Sequence, residues 1–149
     1  MKTENLSLHT ILLADDDSDD REFFQDALNA IALDIVLNMA ENGLEALQLL
    51  QRAAKLPDLI FLDLNMPVRN GYDCLNDIKA DERLKNIPVI IFSTSLQQET
   101  ANEVYNGGAS LYVVKPNSFP VLKSLLKKVF ALDWRMPMPR SRENFIFQA

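Results

Sequence analysis

Five short apolar runs recur along the chain, and each ends abruptly in polar residues. They are Thr10-Ile11-Leu12-Leu13-Ala14, Ile35-Val36-Leu37-Asn38-Met39-Ala40, Leu59-Ile60-Phe61-Leu62, Pro88-Val89-Ile90-Ile91-Phe92 and Ser110-Leu111-Tyr112-Val113-Val114. Apolar runs this short, rich in β-branched residues, predict strands buried on both faces of a parallel sheet. Between them the apolar spacing changes to that of helices packed on one face. Phe24, Ala27, Leu28 and Ile31 make the first such stripe, and Leu44, Leu47, Leu50 and Ala54 the second. Leu75 with Ile78 and Ala101 with Val104 and Tyr105 mark two shorter ones. Val121, Leu122, Leu125, Leu126, Val129 and Phe130 make the strongest.

Local signals agree with these boundaries. Ser18 is expected to cap the first helix, with Asp19 and Asp20 in the first turn, where negative charge favours the positive end of the dipole. Asn42 followed by Glu45 reads as a capping box. Pro88 takes the first position of a strand, where proline is permitted. Asn106-Gly107-Gly108 closes a helix, and Pro120 suits the first turn of the last one. Strands alternating with helices over short connections predict an α/β domain, a doubly wound five-stranded parallel sheet with helices on both faces. The domain is expected to span 1–133. Residues 134–149 form a tail with a basic excess, whose Trp134, Met136, Phe145, Ile146 and Phe147 are too apolar to leave in water. Burial favours each by roughly 1.5–3 kcal/mol, so docking on the domain or on a second copy, as a homodimer, is expected.

Composition narrows the function. A length of 149 residues suits one domain, and 48% hydrophobic with 24% charged residues is ordinary for a globular one. The net charge of −6 argues against a nucleic-acid surface, which needs clustered Lys and Arg. One cysteine, Cys74, allows no internal disulfide and is expected to be buried in a helix. His9 is expected at the surface. No stretch is long enough to cross a bilayer, and Met1–Leu6 lacks an apolar signal core, so a cytoplasmic protein is expected.

Four of the strands end in chemically useful residues: Asp15-Asp16, Asp63, Ser93 and Lys115. Ligands of open parallel sheets bind outside the carboxyl ends of strands, where strand order reverses, here between the first and third. The three carboxylates should converge there. At about 4 Å and an effective dielectric near 20, each like-charged pair costs roughly 4 kcal/mol, which a divalent cation removes. An all-oxygen set without nearby His or Cys points to Mg²⁺ or a similar hard ion. Lys115 then supplies a point charge for a phosphoryl oxygen and Ser93 a hydroxyl. Asp63 is the natural nucleophile, able to form an acyl phosphate.

These residues carry a family resemblance. Leu12-Leu13-Ala14-Asp15-Asp16-Asp17, Phe61-Leu62-Asp63-Leu64-Asn65-Met66-Pro67, Pro88-Val89-Ile90-Ile91-Phe92-Ser93-Thr94 and Tyr112-Val113-Val114-Lys115-Pro116 occur in the order and spacing of a response-regulator receiver domain of two-component signalling. The chain resembles that family over roughly residues 8–132, as a stand-alone receiver similar to the small regulators paired with phytochrome-type kinases. The resemblance implies a flavodoxin-like strand order, 2-1-3-4-5. It implies that Asp63 accepts a phosphoryl group from the phosphohistidine of a sensor histidine kinase or phosphotransfer protein. It implies Mg²⁺ held by Asp16, Asp63 and the Asn65 backbone carbonyl, with Asp15 assisting through water. Lys115 would pair with the phosphoryl group and Ser93 turn its hydroxyl to it. Tyr112 would change rotamer, the Lys115–Pro116 bond would be cis, and the fourth helix, fifth strand and fifth helix would repack toward a downstream protein.

The chain departs from the common pattern at Ser93, where threonine is usual, and at Asp17, a third carboxylate that competes as a ligand. Two other readings are weaker. A scaffold that is never phosphorylated would not need Asp16, Asp63, Ser93 and Lys115 together. A phosphatase with an aspartyl nucleophile wants a second acid two residues on, where Asn65 stands and cannot donate a proton. The expected role is therefore a signalling phosphoacceptor rather than a turnover enzyme. A flavin site fails because three aspartates follow the first strand instead of a phosphate-binding loop.

Overall fold

A computed structural model describes residues 8–31, 34–134 and 144–147. Met1–Leu6 and Met136 lie outside them. The strands are β1 (Thr10–Ala14), β2 (Val36–Ala40), β3 (Leu59–Leu62), β4 (Val89–Ser93), β5 (Leu111–Val114) and β6 (Ile146–Phe147). The helices are α1 (Ser18–Ile31), α2 (Gly43–Arg52), α3 (Gly71–Ala80), α4 (Gln98–Asn106) and α5 (Phe119–Phe130). All strand pairs are parallel, in the order β2-β1-β3-β4-β5-β6. The first five give the flavodoxin-like 2-1-3-4-5 order expected from the sequence.

Strand side chains alternate between two cores, one on each face. Leu12, Ala14, Ile60, Leu62 and Ile91 pack against Ala46, Leu47 and Leu50 of α2, Cys74, Leu75 and Ile78 of α3, and Ala101 and Val104 of α4. Ile11, Leu13, Phe61, Ile90, Phe92 and Val113 pack against Phe24, Ala27 and Leu28 of α1 and the apolar face of α5. Phe24, Phe61 and Phe92 meet edge to face at the centre of the second core, with centroids 5.0–6.0 Å apart. Because β1, β3 and β4 are covered on both sides, they read as continuous apolar runs. β2 is an edge strand, and Val36 and Met39 remain exposed.

Four of the five helix starts, those of α1, α2, α3 and α5, carry a side-chain cap, with one shift from expectation. Asn42 accepts from the Glu45 amide at 2.8 Å, and Ser118 caps α5. At α1 the cap is Asp17, not Ser18. Its Oδ1 accepts from the amides of Asp19 and Asp20 at 2.9 and 3.2 Å. Asp and Ser cap about equally well, so composition does not choose between neighbours. This also occupies the third carboxylate, expected to compete as a ligand, with a structural task. Asp17→Ala should cost about 0.5–2 kcal/mol of stability in urea unfolding.

The tail contributes β6, a strand the sequence did not indicate. The Tyr112 amide donates to the Phe145 carbonyl at 2.9 Å, and Ile146 pairs with Tyr112. Phe145 is buried, edge to face with Tyr105 and Tyr112. The Trp134 indole donates to the Val129 carbonyl at 2.8 Å.

Candidate functional site

The carboxyl ends of β1, β3, β4 and β5 converge on one crevice. Asp15 follows directly from β1, and its amide donates to Ala40 of β2 at 3.0 Å. Asp63 follows from β3, and its amide donates to Ala14 of β1 at 3.0 Å. The ladder hydrogen bonds therefore continue past the strands and fix both carboxylates side by side. The Lys115 amide donates to the Ser93 carbonyl at 2.8 Å, which ties the ends of β5 and β4 in the same way. One oxygen each from Asp15, Asp16 and Asp63 lies within 4.8 Å of the others. Asp15 is fully buried, Asp63 is buried and Asp16 is exposed.

Lys115 reaches this group from the end of β5. Its Nζ lies 2.6 Å from Asp15 Oδ2, 2.9 Å from Asp20 Oδ2 and 3.7 Å from Asp63 Oδ2. Burial draws the ammonium down, but Asp15, Asp63 and Asp20 outweigh it and keep its pKa above the ordinary lysine value. For Asp63, burial pushes the pKa up. Lys115 and the Leu64 amide pull it down, Asp15 and Asp16 add repulsion, and the result is about 6.

Donor chemistry tests the fit of a metal here. The acidic set is all oxygen, and burial, with repulsion from Asp15 and Asp16 added, leaves Asp63 only weakly acidic. The buried Asp15 Oδ2 is ion-paired with Lys115 at 2.6 Å, but no well-directed hydrogen bond reaches it among the described residues. A hard divalent cation answers both deficits, so the residues fit one.

Asn65 is exposed, two residues past Asp63. Ser93 is the last residue of β4 and is buried, on the same sheet face as Ile91. Tyr112 is fully buried, its hydroxyl donating to the Ser95 carbonyl in the loop after β4. The Lys115–Pro116 bond, expected to be cis, is trans: no described peptide bond is cis. The preference between the isomers before proline is only about 0.5–1 kcal/mol, so the local dipeptide does not decide it. Asp20, read as a dipole charge, is instead a direct partner of Lys115. Its place five residues after Asp15, on the first turn of α1, was the available signal.

The loop after Asp63 is tightly packed. The Gly71 amide donates to the Leu64 carbonyl at 2.9 Å, and a Cβ on Gly71 would overlap the Asp63 carbonyl oxygen. Val68 stands at φ +68, a strained value for a β-branched residue. Gly71→Ala must displace backbone, so it should cost about 1–3 kcal/mol and, by moving Asp63, weaken the binding of any divalent cation among the carboxylates. Thermal melting and calorimetric titration read the two effects.

Comparison with known proteins shows the family. The family model of the response regulator receiver domain matches residues 11–127. The chain is 34% identical to the chemotaxis protein CheY-3 of Vibrio cholerae over 120 residues, 80% of this chain and 90% of that protein. It is 31% identical to the response regulator Rcp1 of Synechocystis over 138 residues, 89% of this chain and 92% of that one. It also matches the sensor histidine kinase CheAY of Helicobacter pylori at 32% identity, spanning 16% of that protein's length. Among solved structures, the phosphorylated cyanobacterial phytochrome response regulator RcpA superposes with a TM-score of 0.76 at 31% identity, over 82% of this chain and 91% of that one. The Mn²⁺-bound form of Rcp1 superposes at 0.75 with 27% identity, over 89% and 99%. With the family match spanning both aspartate-bearing strand ends and the lysine-bearing one, the chain belongs to the response regulator receiver domains of two-component signalling.

Proposed function

We propose that this receiver is a phosphoacceptor switch in which Asp63 takes a phosphoryl group from a phosphohistidine. The carrying observation is the placement of Asp63: at the end of a central strand, grouped with Asp15 and Asp16, and 3.7 Å from the Lys115 ammonium. An Asp63 oxygen attacks phosphorus, the P–N bond to the donor imidazole breaks, and the imidazole leaves with a proton from solvent. Lys115 moves onto a phosphoryl oxygen, and the Ser93 hydroxyl donates to another. Asp15, Asp16 and Asp63, with the Asn65 backbone carbonyl, would hold Mg²⁺, which when bound would supply charge neutralisation for phosphoryl transfer. The phosphorylated RcpA and Mn²⁺-bound Rcp1 support this reading for the same fold.

The partners on this reading are a sensor histidine kinase or phosphotransfer protein and a downstream protein, with no nucleic acid or membrane. The protein acts as a cytoplasmic signalling element rather than a turnover enzyme; no described helix is long and apolar enough to cross a membrane. The buried Tyr112, joined to the loop after β4 and packed on Phe145, would carry the change to the α4-β5-α5 face. Incubation with phosphoramidate, a small P–N donor, tests the chemistry. The expected product is a hydroxylamine-labile acyl phosphate that requires Mg²⁺. A hydroxylamine-stable adduct would place the phosphoryl group on a hydroxyl and overturn the assignment.

A further inference from the structure

Asp20 lies outside the group of three carboxylates, yet it holds the lysine that serves them. Its Oδ2 accepts a hydrogen bond from Lys115 Nζ at 2.9 Å, and it is half-buried at 37% side-chain exposure. Its neighbour Asp19 is exposed, as a purely dipolar charge would be. The ammonium thus sits against Asp15 and the α1 wall, with the Phe92 ring 5.5 Å away and Asp63 its most distant carboxylate. Lysine is a compact charge with three rotatable donors, so its location is decided by how its partners share it. Among the described residues, Asp20 is the close partner that the metal site does not draw on.

We infer that Asp20 is a positioning residue for Lys115: it keeps the ammonium back from Asp63 and leaves the Asp63 carboxylate open to a divalent cation. The inference rests on the metal reading above. Without Asp20, the carboxylates left to the ammonium among the described residues are Asp15, already at 2.6 Å, and Asp63 at 3.7 Å, so it closes on Asp63. Lysine and cation then compete for the same oxygens.

Calorimetric titration with MgCl₂ of wild type, Asp20→Asn and Asp19→Asn separates positioning from a general loss of charge. Asp20→Asn should weaken Mg²⁺ binding about tenfold. Asp19→Asn, an exposed and screened charge, should weaken it less than about threefold. Thermal melts in EDTA close a double-mutant cycle: Asp20→Asn should lower Tm with Lys115 present and leave it unchanged or higher in a Lys115→Met background, where the carboxylates have no ammonium to share. Equal loss of affinity in both asparagine variants overturns the inference, as does the same Tm change in both backgrounds. The Mg²⁺ comparison decides alone if Lys115→Met does not fold. Failure of the wild type to bind Mg²⁺ removes the metal reading and this inference together. Normal wild-type binding with unchanged Asp20→Asn removes this inference only.

Discussion

Lys115→Met should lose about 3–5 kcal/mol of stability in EDTA, the cost of stranding a buried charge by deleting its partner. The Lys115 and Asp15 side chains are 8% and 0% exposed and 2.6 Å apart. Without the ammonium, Asp15 is a buried carboxylate facing two others, with no cation among them. The protein can respond by protonating a carboxylate, so the loss should shrink as the pH is lowered. It should also shrink in saturating Mg²⁺, because a divalent ion supplies the missing charge. Urea unfolding with and without Mg²⁺ measures both. A loss below about 1 kcal/mol in EDTA would mean that the pair is solvated like a surface bridge.

Asp63→Asn should stabilise the metal-free protein at neutral pH. Burial, with Asp15 and Asp16 adding to it against the pull of Lys115, raises the Asp63 pKa from 3.8 to about 6. The folded state therefore holds this proton more tightly than the unfolded chain. Between about pH 4 and pH 6 the unfolded state has fewer protons bound, so stability falls as pH rises through that window. Above about pH 6 the charged form carries the whole penalty. The shift corresponds to at most about 3 kcal/mol, and solvent reaching the carboxylate screens this to about 1–2 kcal/mol. Asp63→Asn removes the penalty, so its gain should be full above about pH 6 and vanish near pH 4. On the metal reading proposed above, the order should reverse in Mg²⁺, because the wild type would gain binding energy that the variant lacks. A variant less stable than wild type in EDTA at pH 7 would show that burial does not penalise the charged Asp63 carboxylate.

The sheet was legible because its central strands are buried on both faces and its edges are not asked to carry information. Phe61, Ile90 and Ile91 could only be interior. The strand-end chemistry was legible for a related reason: parallel strands put their carboxyl ends at one edge, so Asp15, Asp63, Ser93 and Lys115 were brought to one place by topology. What sequence could not supply were choices between near-equal local options and contacts across the chain. Asp17 displaced Ser18 as a cap because the two compete on similar terms. The trans bond before Pro116 reflects a small intrinsic preference. Asp20 and Lys115 are 95 residues apart, and no periodicity links them. β6 is two residues long and forms because β5 offers an edge, so nothing in Ile146-Phe147 by itself marks a strand.

The most direct measurement is intact mass after incubation with acetyl phosphate, in Mg²⁺ and in EDTA, for wild type and Asp63→Asn. The expected result is a single phosphoryl adduct on wild type in Mg²⁺, absent in EDTA and absent from Asp63→Asn. An adduct of equal yield on Asp63→Asn would contradict the assignment of Asp63 as the acceptor.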